Sequence, residues 1–531
     1  MGQRSSVLQD QHGAQWTTHG DLVGRVLLAI ACLSSVGLMV PMLTASPLVL
    51  DEHGSYWMID SDLPGTTLER SLNYTAIPPL SGWLQEAFLA VLGKTENVLR
   101  LPSAVCHLLA VIVIYLAGTS LRDRSLGGIA ALLLAWHPEA VDEVRIARCY
   151  GLVLLMASLV MWCTVRWLKF SPQRRWPVGW ILAATGLMWT HYTSALLVIL
   201  AAGWIGIRSL RTRRPMTHVT RWALSMLTVG LLCAPLIPSV LRLREWGPFL
   251  NYMSADQPIW NFVGPIWWLG LPAGWLTSRL VNPRITPRTD PPQNATTATI
   301  PVSLGVLVVC SLLPLLAIAA LASGDLSSLA NPRYRVAYVP AGACLIGALL
   351  TAKVNWPGAL LGAIVAITGS WSMSPLLPWE LGRLGSPTDA EWREANLFLS
   401  THSKTGEPIY VQSGLAESNL VPAFPDDDFF LEYVACRVSR FYVEASHPRF
   451  GLPFHWDGPG DVRARFRSRI LSETKAGDTF WIAAATDTDL NQNSLSGMQQ
   501  IAIEAGFELQ KQMTWPNVRV ERYVLSASEA P

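Results

Sequence analysis

Near its N-terminus, over residues 23–52, the chain reads VGRVLLAIACLSSVGLMVPMLTASPLVLDE. The apolar part, 23–40, is long enough to cross the hydrocarbon core of a bilayer, which takes about 20 residues. Two adjacent carboxylates, Asp51 and Glu52, follow where the chain leaves that core. Burying either charge in hydrocarbon is costly, so acids this close to a span usually have a function. The stretch therefore predicts a membrane protein with acidic chemistry at one membrane face.

The composition of the whole chain agrees with this prediction. Of its 531 residues, 50% are hydrophobic and 15% are charged, and 23 are tryptophans, which settle at bilayer interfaces. The eight cysteines show no CxxC pair and no metal-ligand spacing, so neither a disulfide framework nor a zinc site is predicted. P-loop and GxGxxG motifs are absent from the sequence. We expect no nucleic-acid partner.

Apolar runs recur along the chain and predict a polytopic α-helical membrane protein with about 11 spans. We interpret the first run as an uncleaved anchor rather than a signal peptide, because many spans follow it. The predicted spans are 23–43, 101–118, 126–137, 150–167, 177–190, 192–207, 221–240, 259–277, 300–321, 335–351 and 356–373.

Basic residues concentrate in alternate loops, and this distribution predicts the orientation. By the positive-inside rule these loops and the N-terminus face the cytoplasm. The loops 44–100, 138–149, 241–258 and 322–334, the junction near residue 190 and the C-terminal region then face outward. We expect the inner (plasma) membrane of a bacterium as the location. The basic loop residues are Arg122, Arg124, Lys169, Arg174, Arg175, Arg208, Arg211, Arg213, Arg214, Arg279, Arg284, Arg288 and Lys353.

The composition changes to that of a soluble domain near residue 380. We divide the chain into a polar cytoplasmic tail (1–22), a multi-span catalytic domain (23–375, with the outward loop 44–100) and an extracytoplasmic α/β domain (376–531). In the last of these, helices are predicted at 389–400 and 461–474, and strands at 408–412, 479–486 and 519–525. The charged runs 426–428 and 447–455 are interpreted as solvated loops, and 285–299 as a linker.

The outward loops collect ionisable and aromatic side chains. An arginine in an outward loop is an exception to the positive-inside rule that sets the orientation. Such an arginine needs an anionic partner, for which a lipid phosphate is well suited. Local alternatives stay open. Asp51 and Glu52 could be a solvated cap, Arg145 and Arg148 could pair with neighbouring acids on a helix, and His191 could be an interface histidine. The candidate site residues are Asp51, Glu52, Arg145, Arg148, Tyr150, His191, Arg333 and Tyr334.

Six different short motifs follow one another along residues 20–350. They are Leu50-Asp51-Glu52, Pro78-Pro79-Leu80, Leu99-Arg100-Leu101-Pro102-Ser103, Ala147-Arg148-Cys149-Tyr150, Thr190-His191-Tyr192 and Pro332-Arg333-Tyr334. With these motifs the chain resembles the GT-C glycosyltransferases that use polyprenyl-phosphate sugars, the family 39-like group of protein O-mannosyltransferases and aminoarabinose transferases. One departure is Ala76-Ile77, where the aminoarabinose branch has an acidic residue and lysine. The requirement for a divalent cation is therefore left open.

The resemblance implies a membrane glycosyltransferase that moves a sugar from a polyprenyl-phosphate donor to a hydroxyl of a glycan, lipid or protein acceptor at the outer face. It implies Asp51 as general base, assisted by Glu52, with the phosphate bound by Arg148 and Arg333. The other candidates, Arg145, Tyr150, His191 and Tyr334, would contact the substrate. The alternatives are a lipid-linked sugar flippase and an inactive binder of lipid-linked glycans. A transporter would be expected to place ionisable groups near the midplane, whereas the predicted spans carry few charges.

Overall fold

The chain folds into two compact units in a computed structural model. One unit comprises Met1–Thr44, Ile77–Gly93 and Arg100–Gly382, and the other comprises Ala45–Ala76, Lys94–Leu99 and Arg383–Pro531. The segment that follows the first predicted span thus belongs to the same unit as the C-terminal region. The structure describes residues 3–43, 46–75, 77–169, 175–212, 215–243, 271–280, 302–322, 329, 331–352, 356–372, 374, 387–414, 428–444, 446–453, 455–456, 461–474 and 479–526.

The first unit is helical, and the predicted spans fall on its helices. The span predicted at 150–167, for example, lies within a helix at Tyr150–Lys169. The span predicted at 259–277 is described only from residue 271, and the linker 285–299 lies outside the described residues. In chain order the helices up to residue 372 are α1 (Gln3–Met39), α2 (Leu50–Ile59), α3 (Thr67–Arg70), α4 (Leu80–Leu92), α5 (Glu96–Leu121), α6 (Arg124–Ala135), α7 (Pro138–Val144), α8 (Tyr150–Lys169), α9 (Arg175–Met188), α10 (Ala195–Leu210), α11 (Pro215–Cys233), α12 (Ile237–Leu243), α13 (Leu271–Leu280), α14 (Val302–Ala322), α15 (Val339–Leu350) and α16 (Trp356–Ser372).

Several of these helices are long enough to cross a bilayer. Shorter apolar helices accompany them, among them α4, which the sequence analysis left inside the loop 44–100. The predicted count of about 11 spans stays a prediction. Within the described ranges, the six segments long and apolar enough to span are Asp21–Met39, Glu96–Leu121, Tyr150–Lys169, Tyr192–Leu210, Pro215–Arg242 and Leu304–Leu321.

A glycine sets how α8 packs on α5. A Cβ at Gly151 would lie 2.3 Å from the carbonyl oxygen of Ser103, so only glycine allows the two backbones to come this close. Small residues serve this purpose at helix crossings in membranes. The crossing therefore fixes the first turn of α8, where Tyr150 lies.

The second unit contains a five-stranded mixed sheet in the order β2-β1-β3-β5-β4. β1 runs parallel to β2 and β3, whereas β5 is antiparallel to β3 and β4. The helices and strands predicted in this region are confirmed to within two residues at each end. The elements are α17 (Pro387–His402), β1 (Ile409–Gln412), α18 (Asp428–Leu431), α19 (Arg437–Arg440), β2 (Arg449–Gly451), α20 (Val462–Glu473), β3 (Thr479–Ala485), α21 (Asp489–Glu504), β4 (Phe507–Thr514) and β5 (Val518–Leu525).

The core of this unit lies between α17 and one face of the sheet. Trp392, Ala395 and Leu399 are spaced along one face of α17 and are buried against Val411 and Trp481 of the sheet. Since β1 is buried along its whole length, its sequence shows no alternation of apolar and polar residues.

The interpretation of 447–455 as a solvated loop is wrong. Arg449 is the first residue of β2 and His447 lies two residues before it, and both residues are only 7% exposed. Arg449 Nη2 donates to the carbonyls of Val443 and Glu444 at 2.6 and 2.5 Å, which gives this buried side chain hydrogen-bond acceptors inside the unit. A strand of three residues is too short to give a periodic signal in the sequence. In the other charged run, Asp426 and Asp427 lie outside the described residues.

Candidate functional site

The loop before α8 presents Arg148 and Tyr150 at the end of a helix. The side-chain amide of Gln85 in α4 donates to the carbonyl of Ala147 at 2.9 Å and holds this loop. Tyr150 is buried, and Arg148 is partly exposed. Arg148 therefore stands at the end of a span with its side chain accessible to a ligand.

The turn between α9 and α10 presents His191. The turn is tied to the start of α4, because the Leu80 N–H donates to the carbonyl of Trp189 at 3.1 Å. A short 3-10 helix, Tyr192–Ser194, follows His191. The Thr193 hydroxyl lies 2.7 Å from His191 Nδ1, and this hydrogen bond orients the imidazole.

A second 3-10 helix, Pro332–Tyr338, presents Arg333 and Tyr334. The Asn331 side chain begins it by accepting a hydrogen bond from the Arg333 N–H at 3.2 Å. At its other end, the Tyr338 hydroxyl donates to the carbonyl of Thr193 at 3.0 Å. The 3-10 helix is thereby fixed against the turn that carries His191.

These three segments, far apart in sequence, meet around His191. Its ring centroid lies 5.6 Å from that of Tyr150 and 5.8 Å from that of Tyr334. The Arg333 guanidinium lies 5.2 Å from the Tyr334 ring centroid and 3.4 Å from its hydroxyl. The structure therefore brings together His191, Tyr150, Arg333 and Tyr334, all of which are candidates from the sequence.

The electrostatics of this cluster keep His191 neutral. Burial, together with the nearby charges of Arg148 and Arg333, lowers the pKa of His191 to about 3. The neutral imidazole therefore adds no charge of its own beside these two guanidinium groups. Such a site is suited to an anion such as a phosphate group.

The low pKa of His191 predicts acid destabilisation. In the unfolded chain a histidine binds a proton near pH 6.5, whereas in the folded protein His191 does so only near pH 3. The unfolded state therefore binds more protons in this window, and stability falls as the pH drops from about 6.5 towards 3. Unfolding temperatures of the detergent-solubilised protein, measured across this window, should fall less for His191→Gln than for wild type. The control His402→Gln, an exposed position on α17, should follow wild type, and an unchanged slope in His191→Gln would contradict the assignment.

Comparisons with known proteins show which family model and which solved structures the chain is similar to. Residues 76–238 match the family model described as dolichyl-phosphate-mannose-protein mannosyltransferase. The fold matches ArnT from Cupriavidus metallidurans in the apo state, with a TM-score of 0.54 and 13% sequence identity over 96% of this chain and 98% of ArnT. The chain has a GT-C fold. The predicted resemblance is thereby confirmed, and together with the apolar helices it identifies an integral membrane protein.

Two further solved structures are similar to the chain. ArnT from Cupriavidus metallidurans bound to undecaprenyl phosphate matches with a TM-score of 0.53 and 14% identity, covering 95% of this chain and 98% of ArnT. The Archaeoglobus fulgidus oligosaccharyltransferase tethered to an acceptor peptide has a TM-score of 0.49 and 13% identity, over 96% of this chain and 74% of that one. No curated protein matches the chain by sequence.

Arg145 of this GT-C chain is engaged in a local ion pair. Its guanidinium lies 3.0 Å from Asp142, three residues earlier, and its side chain is 6% exposed. This is the i,i+3 pairing that the sequence analysis held open as the alternative to substrate binding. The pair restrains Arg145, whose role in substrate binding stays a prediction.

The sequence analysis missed a second ion pair in the same unit. Arg335, in the 3-10 helix, lies 2.7 Å from Glu139 in α7, and the two side chains are 4% and 12% exposed. The pair anchors the 3-10 helix that carries Arg333 and Tyr334. Its partners are 196 residues apart, so no local pattern could have indicated it.

Asp51 and Glu52 occupy the first turn of α2 in the second unit, where carboxylates interact favourably with the helix dipole. Glu52 is fully buried, and its carboxylate accepts a hydrogen bond from the backbone N–H of Val49 at 2.9 Å, as the third residue of a capping box does. Asp51 is partly exposed. Glu52 therefore stabilises the helix end, and Asp51 is the accessible carboxylate of the two.

A metal centre is not evident in the part of the chain that the structure describes. No three His, Cys, Asp or Glu side chains there are grouped as metal ligands. Ala76 is part of the Ala76-Ile77 departure from the family pattern, which left the requirement for a divalent cation open. It lies outside the described residues.

Proposed function

We propose that this protein is an integral membrane glycosyltransferase that moves a sugar from a polyprenyl-phosphate carrier to an acceptor hydroxyl at the outer membrane face. The observation that carries the proposal is the cationic cluster of Arg148 and Arg333 around the neutral His191. The GT-C fold supports it, since ArnT of the same fold has been crystallised with undecaprenyl phosphate. The acceptor is a glycan, a lipid or a protein that is present at that face.

Leaving-group stabilisation falls to the two arginines in this mechanism. When the bond from the sugar C1 to the phosphate oxygen breaks, negative charge accumulates on the departing phosphate. Preorganised guanidinium donors stabilise developing charge of this kind most effectively. Because the phosphate is already a good leaving group, no general acid is required there. Arg148 and Arg333 provide this stabilisation. His191 is neutral and does not act as a general acid towards the departing phosphate.

Acceptor activation falls to Asp51. The acceptor hydroxyl loses its proton as its oxygen attacks C1, and a carboxylate can accept that proton in the transition state. A carboxylate is a weak base compared with an alkoxide, so the proton moves late in the step. A single displacement of this kind inverts the configuration at the anomeric carbon. Asp51 is assigned by the family resemblance and by its position as the partly exposed acid of the first turn of α2.

The orientation follows from the basic loops of the sequence. The alternation of arginine-rich loops favours a cytoplasmic N-terminus, with the C-terminal α/β region outside the membrane. We assign the protein to the inner membrane of a bacterium, where the polyprenyl-phosphate donor would present its sugar at the outer face.

Sugar transfer in vitro tests the proposal. Purified protein in nanodiscs would be given a panel of polyprenyl-phosphate sugars, with a membrane extract as the source of acceptors, and transfer of labelled sugar would be followed. Transfer from at least one donor supports the proposal. Donor binding without transfer from any donor would instead favour a flippase or an inactive binder.

The arginine pair predicts a specific loss of donor affinity. Removing one charged hydrogen-bond partner costs about 1.5–3 kcal/mol, which corresponds to about 10–100-fold in Kd. Arg148→Met and Arg333→Met should each weaken binding of a polyprenyl phosphate by this factor, measured by thermal shift or by binding of a fluorescent analogue. Arg122→Gln is the matched control, because Arg122 lies in an exposed pair with Asp123. Wild-type affinity in both methionine variants would remove the arginines from the phosphate site.

A further inference from the structure

The position of α2 depends on packing. It has only ten residues, and isolated helices of fewer than about 12 residues are marginal in water. In the second unit it is held by the segment 428–449. The Trp57 ring lies 4.8 Å from Tyr433, and the Tyr56 ring lies 5.0 Å from Phe441. Leu50, next to Asp51, packs against the core beneath the sheet.

A chain of polar contacts adds to this packing. The Trp57 indole N–H donates to the carboxylate of Glu432, which also accepts a hydrogen bond from Arg440 Nε at 2.6 Å. Arg440 Nη1 in turn lies 3.9 Å from Asp60, the residue that ends α2. Both carboxylates and the guanidinium are largely buried, so these contacts are weakly screened by solvent. The C-terminal end of α2 is thus fixed to the segment 432–440.

A second arginine of this segment reaches the other half of α2. A Cβ at Gly54 would lie 3.1 Å from Arg437 Nη1, and the Arg437 side chain is buried, with the residue 3% exposed. Arg437 Nη1 also donates to the Tyr433 hydroxyl at 3.1 Å. A Cβ at position 54 would make a tight contact with the guanidinium, so glycine leaves the guanidinium the most room against the helix.

The direction of side chains on a helix relates this contact to Asp51. Each Cα–Cβ bond of an α-helix tilts towards the N-terminus, so a group over the Cβ position of Gly54 covers the preceding turn. That turn carries Asp51, three residues earlier on the same face.

We propose that Arg437 is a positioning residue of the transfer reaction, which holds the first turn of α2, and with it the Asp51 carboxylate, in the arrangement required for proton removal. The inference rests on the proposed function and extends it, because it gives the C-terminal region a part in the chemical step. Gly54 is the complementary residue, since it leaves room for the guanidinium. Arg437 acts through Asp51 and does not itself contact the reacting atoms.

Four variants of the full-length protein in nanodiscs test this role. Arg437→Met removes the charge, Arg437→Lys keeps it, and Gly54→Leu fills the space that the guanidinium occupies. The double variant Gly54→Leu with Arg437→Met completes a double-mutant cycle. In such a cycle, the effects of two substitutions that act on one interaction do not add. Gly369→Leu is the matched control, because nothing lies within 4 Å of a Cβ there.

We expect kcat to fall about 100-fold in Arg437→Met and in Gly54→Leu, as displacement of a reacting group does, with the KM for the donor unchanged. The double variant should be no slower than the single ones, and Arg437→Lys should recover part of the lost rate. A folded Arg437→Met variant with wild-type kcat would overturn the proposal. So would a raised KM at unchanged kcat, since that would make Arg437 a donor-binding residue.

Amide hydrogen exchange of the α2 peptide separates this inference from the proposed function. Faster exchange over residues 50–59 in Arg437→Met and Gly54→Leu, with wild-type exchange in Gly369→Leu, supports the hold of Arg437 on α2. Unchanged exchange in both variants overturns it. Failure of the wild-type protein to transfer sugar from any donor overturns the proposed function, and the exchange data then still decide whether Arg437 positions α2.

Discussion

Replacing Asp51 by asparagine is expected to lower the rate of sugar transfer by about 10²–10⁴-fold, the range that general base catalysis contributes. Asparagine has nearly the same shape as aspartate and is tolerated in the first turn of a helix, so α2 should stay folded. It cannot accept the proton of the acceptor hydroxyl. Single-turnover transfer with a bound donor would measure the chemical step, and a binding assay with a polyprenyl phosphate should give the wild-type affinity.

Two neighbouring acids provide controls for this variant. Asp62→Asn changes an exposed carboxylate in the same segment and should transfer sugar at the wild-type rate. Glu52→Gln should also fold, because glutamine can replace glutamate in a capping box. A folded Asp51→Asn variant with the wild-type rate would exclude Asp51 as the base. A loss of activity confined to Glu52→Gln would transfer that role to Glu52.

Breaking the buried pair of Glu139 and Arg335 is expected to have the largest effect on stability. Removing one partner of a buried ion pair leaves an uncompensated charge and costs about 3–5 kcal/mol. The loss should also release the 3-10 helix Pro332–Tyr338, and so weaken donor binding through Arg333. Chemical unfolding of Glu139→Ala in detergent measures the first effect, and polyprenyl-phosphate affinity measures the second.

Replacing Glu139 and replacing Arg335 should lower the stability by different amounts. Burial raises the pKa of Glu139, and Arg335 opposes that rise, so without the arginine the carboxyl can become neutral by taking up a proton. A guanidinium cannot lose its charge in this way. Glu139→Ala should therefore be less stable than Arg335→Met.

A double replacement and a surface variant complete the test of this pair. The double variant Glu139→Leu with Arg335→Met should recover most of the stability, as hydrophobic replacement of a buried pair does. Arg122→Gln, in a pair whose side chains are 39% and 47% exposed, should cost at most about 1 kcal/mol. Equal stability of Glu139→Ala and Arg122→Gln would show that the buried pair is not an anchor.

Local patterns account for what the sequence predicted well. The runs at 101–118 and 150–167 lie within α5 and α8, since a membrane span is defined by consecutive apolar residues. The strand predicted at 479–486 is β3, because a run bounded by polar residues is recognisable without its partners. The helix α21 was missed, although Leu495, Met498 and Ile501 follow helical spacing along its buried face.

The candidate site was predicted in part for the same reason. Arg148, His191 and Arg333 were selected because each lies at the end of an apolar run, a feature of the local sequence. Their convergence was expected only from the family resemblance, and the structure shows it around His191. Whether Asp51 and the other candidates act as proposed stays a prediction.

The sequence by itself determined the class of this protein, its membrane helices, the α/β character of its C-terminal region and the resemblance to the GT-C glycosyltransferases. All of these follow from hydropathy, periodicity and short motifs, which are properties of neighbouring residues. Only the tertiary structure decided the pairing of Glu139 with Arg335 and the contact of Arg437 with Gly54. Those contacts join residues about 200 and 400 positions apart. Their energy depends on burial and distance, which exist only once the chain has folded.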